Sequence, residues 1–196
     1  MIPTISYQAH CENIGWQNPV TEGVAGTTGK SLRLEALRIH LNHACNASLS
    51  FDVHLENDGW KFNLCENDLL GTTGKCKRME AIVIRSKGLI EQGYRIQYKV
   101  HIQNFEWLRN CVLKGKEQIM SEEGQQLLPP TWVNEGEMAG TTGRALRMEA
   151  IQIRLIQAFP AIKNYTINNN LTLMNVQFHA EKNDYNLVPK CLQLTQ

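Results

Sequence analysis

Gly26-Thr27-Thr28-Gly29-Lys30, followed closely by Leu32-Arg33-Leu34-Glu35-Ala36-Leu37-Arg38-Ile39, is written three times in this chain. It returns as Gly71-Thr72-Thr73-Gly74-Lys75 with Arg78-Met79-Glu80-Ala81-Ile82-Val83-Ile84, and as Gly140-Thr141-Thr142-Gly143-Arg144 with Arg147-Met148-Glu149-Ala150-Ile151-Gln152-Ile153. A triplicated unit that cannot bury its apolar face alone must stack on its own copies, so the repeat decides the architecture.

Upstream of each copy runs an alternating stretch. Ile5, Tyr7, Ala9 and Cys11 share one face, and Phe51, Val53 and Leu55 and then Tyr98, Val100 and Ile102 repeat the pattern. A period of two reads as a half-buried strand. Downstream of each Gly-Thr-Thr-Gly lies a second strand. In the first copy Leu32 and Leu34 are in one phase and Leu37, Ile39 and Leu41 in the other, which predicts a β-bulge at Ala36. The β-branched Ile82-Val83-Ile84 and Ile151-Gln152-Ile153 favour a strand over a helix there. Glu22-Gly23 marks the expected reversal of a hairpin within the copy.

Gly71 follows Gly26 by 45 residues, and Gly140 follows Gly71 by 69. The repeats therefore span about 5–41, 49–85 and 94–155 of a single domain over 1–196, the last with an insertion at 108–130. A partial fourth copy is expected at 171–190, where Val176, Phe178 and Ala180 alternate and Tyr185 follows His179 by the step that separates His10 from Trp16.

Lys+Arg and Asp+Glu number 20 and 19, so no excess charge favours a nucleic acid or an anionic membrane. The start of the chain has no signal-peptide pattern, and no apolar run reaches membrane-spanning length. Six cysteines at irregular spacings give neither a disulfide framework nor a zinc pattern, and no metal or other cofactor is expected.

Gly29-Lys30-Ser31 resembles the end of a phosphate loop, but Lys75-Cys76 and Arg144-Ala145 lack the hydroxyl, and Val24 stands where the first glycine belongs. Gly-Thr-Thr-Gly reads instead as a turn that also offers hydroxyls and backbone N–H groups to a neutral polar ligand. Candidate ligand residues are Thr27, Thr28, Thr72, Thr73, Thr141 and Thr142, with Trp16, Trp60 and Trp107 as stacking or packing aromatics. The recurring Arg33/Glu35, Arg78/Glu80 and Arg147/Glu149 face the polar sets His10/Glu12, His54/Glu56 and His101/Gln103, an arrangement suited to cross-strand ion pairs. Three equivalent carboxylates do not make the two unlike ones that glycoside hydrolysis needs, so no catalytic residue is assigned.

Gly15-Trp16, Glu22-Gly23, Ala25 through Gly29 and Arg33-Leu34-Glu35-Ala36 resemble the clostridial hydrophobic repeat with a conserved tryptophan, the ChW repeat. Trp132 through Gly136 and Ala139 through Ile151 repeat the likeness, while the second copy lacks the Ala before Gly71. The resemblance implies a non-catalytic bacterial module, secreted or on the cell surface, binding polysaccharide or protein.

The expectation is thus an all-β, pseudo-threefold β-prism, with a β-trefoil as the close alternative. Its expected function is lectin-like glycan binding at three equivalent sites. The second reading is a protein-interaction or assembly module of a toxin, phage or defence component, using the insertion and the C-terminal extension.

Overall fold

The computed structural model of the chain describes residues 2–108 and 132–158. The insertion beyond Leu108 and the expected partial copy at 171–190 lie outside the described residues.

The first repeat supplies β1 (Thr4–Cys11), β2 (Gly15–Trp16), β3 (Val24–Gly26) and β4 (Leu34–Asn42). The second supplies β5 (Ser48–Leu55), β6 (Gly59–Cys65), β7 (Leu70–Gly71) and β8 (Met79–Lys87). The third supplies β9 (Tyr94–Ile102), β10 (Glu106–Leu108), β11 (Val133–Asn134), β12 (Met138–Gly140) and β13 (Met148–Gln157). Helical structure among the described residues is one 3₁₀ turn, Ile90–Gln92, so no helix there is long and apolar enough to cross a membrane.

The strands form three separate antiparallel sheets, β2-β1-β4-β7, β12-β8-β5-β6 and β10-β9-β13-β3 with β11 also on β9. Each sheet is one repeat's long strand pair completed by a short strand from the following repeat, with β3 of the first closing the ring onto the third. One sheet per repeat is the prism arrangement. The inward residues of all three sheets meet in a single core that includes Tyr7, Ile39, Phe51, Ile84, Tyr98 and Ile153.

Two expectations are corrected in detail. The hairpin does not reverse at Glu22-Gly23. It turns directly after β1, where Asn13 and Gly15 have φ of 61° and 80°, and β3 then leaves its own repeat to pair with β13. The bulge falls one residue before Ala36: His10 faces Ala36 and Cys11 faces Leu34, which leaves Glu35 as the extra residue. The same shift recurs between His54 and Leu55 and between Met148 and Ala150, with Glu80 and Glu149 as the extra residues. A bulge re-aims the side chain it inserts, and here it buries a carboxylate in every repeat.

The short exchanged strands fit because of one glycine each. Gly26, Gly71 and Gly140 have φ of 108°, 126° and 116°, and a Cβ on them would lie 2.4, 2.3 and 2.3 Å from the carbonyl oxygens of Glu149, Glu35 and Glu80. No side chain fits at that distance, so the first glycine of Gly-Thr-Thr-Gly is fixed by the neighbouring sheet as well as by its own turn.

The ring is also tied through phenolic hydroxyls. Tyr7 Oη accepts the Ile153 N–H at 2.9 Å and donates to the Gly23 carbonyl, and Tyr98 Oη accepts the Ile84 N–H at 3.0 Å and donates to the Glu137 carbonyl. Burial pushes both phenols up from their usual range, with the backbone contacts acting the other way. The second repeat has Phe51 at this position. There Glu66 bridges the first and second repeats, accepting the Leu41 and Leu49 N–H groups.

Candidate functional site at the seams between repeats

Each seam joins a bulged carboxylate from one repeat to the Gly-Thr-Thr-Gly loop of the next. The N–H groups of Thr72, Thr141 and Thr27 donate to the carbonyls of Glu35, Glu80 and Glu149 at 2.9, 2.8 and 2.8 Å. The Glu-Ala pair therefore holds its neighbour's loop through its backbone, while the glutamate side chain turns to its own repeat.

There each carboxylate meets an arginine and a histidine. The Nε atoms of Arg33, Arg78 and Arg147 donate to Glu35, Glu80 and Glu149 at 2.8, 2.8 and 3.0 Å. The Nδ1 atoms of His10, His54 and His101 lie 3.1, 2.9 and 3.1 Å from the second carboxylate oxygens. These Nδ1 atoms make no hydrogen bond among the described residues, so the approaches are close polar contacts. At the first two seams Arg33 and Arg78 also bind Glu12 and Glu56. Burial works against the Arg33 charge, but the Glu35 hydrogen bond and the charges of Glu12 and Glu35 raise its pKa overall. The sequence-predicted ion pairs are thus present in all three copies.

The tryptophans stand directly across from these histidines. His10, His54 and His101 pair in register with Trp16, Trp60 and Trp107, the rings meeting edge to face with centroids 5.3, 5.3 and 5.6 Å apart. All three indoles are half-buried on the outer side of the sheets and none belongs to the core.

The candidate threonines divide into two kinds. Thr27, Thr72 and Thr141 are buried, and their hydroxyls have no hydrogen-bond partner among the described residues. Thr28, Thr73 and Thr142 are exposed, so direct contact with a ligand falls to them. At the seam between the third and first repeats, Thr28 and Gly29 face Trp107 and Asn104 across an open groove of about 520 Å³, with His101, Arg147 and Glu149 also lining it. The exchange of β3 therefore brings together two predicted residues, Thr28 and Trp107, that are remote in sequence.

Asn104 is not among the sequence candidates, although its signal is present. Asn13, Asn57 and Asn104 each follow the repeat histidine by three residues and each has positive φ, at 61°, 62° and 67°. Ser31, Cys76 and Ala145 likewise share a left-handed conformation two residues after the loop's second glycine, and Ser31 lines the groove.

Comparison with family sequences matches the Clostridial hydrophobic W model at residues 10–43, 54–88 and 101–157. The chain belongs to the ChW family. Each matched segment begins on the histidine that meets the tryptophan. Comparison with curated proteins and with solved structures gives no match.

The ChW positions now have physical meanings. The tryptophan meets the histidine of a histidine–glutamate–arginine cluster, the first glycine admits the adjoining sheet, and the glutamate is the bulge. The three copies are not identical, however. Gln103 replaces the second glutamate, so among the described residues Glu149 is the carboxylate that holds Arg147. The groove-facing loop position is Ser31 at this seam but Cys76 and Ala145 in the other loops. Among the described cysteines Cys11 is buried and Cys45, Cys65 and Cys76 are exposed, all as free thiols. Burial and then the Glu35 charge push the Cys11 thiol up to about 11, so it stays protonated at neutral pH.

Proposed function

We propose that the three seams are shallow ligand sites and that the protein is a non-catalytic, lectin-like module for polysaccharide or glycan. The observation that carries this reading is the groove in which the Trp107 ring, the Thr28 loop and the Asn104 side chain share one surface with His101 and Glu149. An apolar ring beside convergent donors and acceptors suits a sugar, whose faces are apolar and whose rim is hydroxylated. Three such seams on one body would convert weak individual contacts into avidity for a repeating polymer.

Binding rather than catalysis is favoured because Glu35, Glu80 and Glu149 each sit with an arginine and a histidine in the same way. Carboxylates in matched surroundings do not divide into acid and base.

The test is a glycan array read with the wild-type chain and with a Thr28→Ala, Thr73→Ala, Thr142→Ala triple variant, which alters exposed positions and should fold normally. Wild-type binding that the triple variant loses is the expected result. Silence of the wild-type chain across diverse neutral and acidic glycans would reject the reading. It would also leave the contacts to a protein partner, to be tested by deleting residues 109–129.

A further inference from the structure

The outer face of the third sheet carries a charge pattern that the other two do not. One position lies just before a core residue of the first long strand: Gln8 in the first repeat, Asp52 in the second and Lys99 in the third. Its diagonal neighbour on the returning strand is His40, Arg85 or Arg154. In the second sheet the two positions neutralise each other, with Asp52 Oδ2 2.7 Å from Arg85 Nη2. The third sheet places two cations there, and neither has a carboxylate within ion-pair distance among the described residues.

These cations are held by aromatic rings instead. Lys99 Nζ lies 4.7 Å from the Trp107 ring centroid and 4.8 Å from that of Trp132, and the Arg154 guanidinium carbon lies 4.0 Å over Trp132. Gln97 Oε1 accepts from Arg154 Nε and Nη2 at 3.1 and 2.7 Å, which orients the guanidinium without neutralising it. Like charges on neighbouring strands oppose folding unless something compensates. Burial and then the Arg154 charge hold the Lys99 ammonium below its usual range. The first sheet has a single cation of this kind, Arg38, 4.4 Å over Trp16.

Trp107 belongs to both features, since it lines the groove with Thr28 and also carries Lys99 on its ring. We propose that Lys99 and Arg154 form an anion subsite beside the third groove, and that this seam selects sugars bearing a carboxylate, such as hexuronates. The carboxylate supplies what Asp52 supplies in the second sheet, while the sugar ring lies toward Trp107 and Thr28. The inference rests on reading the seams as glycan sites and adds selectivity to one of them. A guanidinium and an ammonium directed at one carboxylate give charge-assisted hydrogen bonds, stronger than neutral ones.

The experiment compares oligogalacturonate with its methyl ester in calorimetric titrations of the full chain, with Trp107 and Trp132 indole N–H resonances followed in parallel. The acid form should bind at least about tenfold more tightly than the ester. A Lys99→Gln, Arg154→Gln double variant should bind both alike, and loss of like charges gives it no reason to misfold. Equal binding of acid and ester by the wild-type chain, or a preference that survives in the double variant, would overturn this inference and leave the glycan reading intact. No binding of the acid form by a chain that binds neutral glycans on an array would do the same. Failure with every glycan would overturn both.

Discussion

Gly71 and Ala36 are Cα partners across the seam between the first and second repeats, and they approach so closely that a Cβ on Gly71 would stand 2.7 Å from the Ala36 Cα. Gly140 with Ala81 and Gly26 with Ala150 reproduce the contact, so three glycine–alanine pairs close the ring. Small residues on both sides let an exchanged strand lie flat against a sheet that another repeat built.

The two glycines of the loop should therefore differ in cost. Gly74 has φ of 69° with open space around it, whereas Gly71 combines φ of 126° with a backbone clash. Gly74→Ala should cost about 1 kcal/mol for the left-handed backbone alone. Gly71→Ala should cost at least about 3 kcal/mol, since it adds displacement of the strand. Urea unfolding of the two variants measures the difference, and equal losses would mean the close approach is not rigid.

The tyrosine that ties the first repeat to the third gives a second expectation. Tyr7→Phe leaves the Ile153 N–H without its acceptor in a buried place and should destabilise by about 1–3 kcal/mol. Phe51→Tyr in the second repeat is not the reverse of this change, because Glu66 already serves that seam. Thermal unfolding of Tyr7→Phe that matched wild type would show that the seam relaxes to admit water.

Glu149 and Glu35 should respond differently to neutralisation. Removing the Glu35 charge still leaves Arg33 the Glu12 carboxylate, while Arg147 has Glu149 without a second glutamate at Gln103. Glu149→Gln is expected to cost about 2–3 kcal/mol, and Glu35→Gln about 1 kcal/mol less. Chemical denaturation at neutral pH of the two single variants provides the comparison.

The buried hydroxyls of Thr27, Thr72 and Thr141 separate stability from binding. Each is unpartnered among the described residues, so Thr72→Val should leave stability unchanged or raise it by about 1 kcal/mol. A clear loss of stability would mean that the hydroxyl has a partner in solution. Loss of glycan binding by this variant would make the buried threonine part of the site, where exposure favours Thr73 alone.

Acid titration probes the second sheet. Burial disfavours the Asp52 charge, but the Arg85 hydrogen bond, the Asn63 N–H and the Arg85 charge more than offset it and hold the carboxyl below its ordinary range. Because the folded-state value is depressed, the stabilisation is present above the unfolded value near 3.8 and is lost as pH falls through the folded one. Asp52→Asn should therefore lower stability at pH 7 by about 1 kcal/mol, a modest figure because Arg85 is well exposed. The gap to wild type should close in strong acid, which thermal melts across the acid range would show.

Much of the molecule is legible in the sequence because its signals are local or repeated. Alternation locates β1, β5 and β9, since a period of two follows from the strand itself. The phase change near Ala36 reveals the bulge to within one residue, because one-residue slips reverse every later side chain. Repetition of Arg33 and Glu35 beside His10 and Glu12 reveals the ion pairs, because opposite charges recur at the same places in the repeat, although the bulge at Glu35 rather than regular strand alternation brings the side chains together. Asn104 carries the same kind of repeated signal, with Asn13 and Asn57 at the same step after the histidine, but a turn asparagine reads first as a left-handed backbone position, and only the closed ring puts this one on the groove.

The sequence alone determined three β units, their strand faces and the charged clusters that line them. Only the tertiary structure decided which repeat completes which sheet. An apolar pattern states which face of a strand is buried but not which edge it will pair with, so Val24–Gly26 reads equally well as a hairpin arm of its own repeat or as an added strand of the third. Steric fit between Gly26 and Ala150 makes that choice, and the choice places Thr28 beside Trp107. The candidate sites are therefore properties of the closed ring and belong to no single repeat.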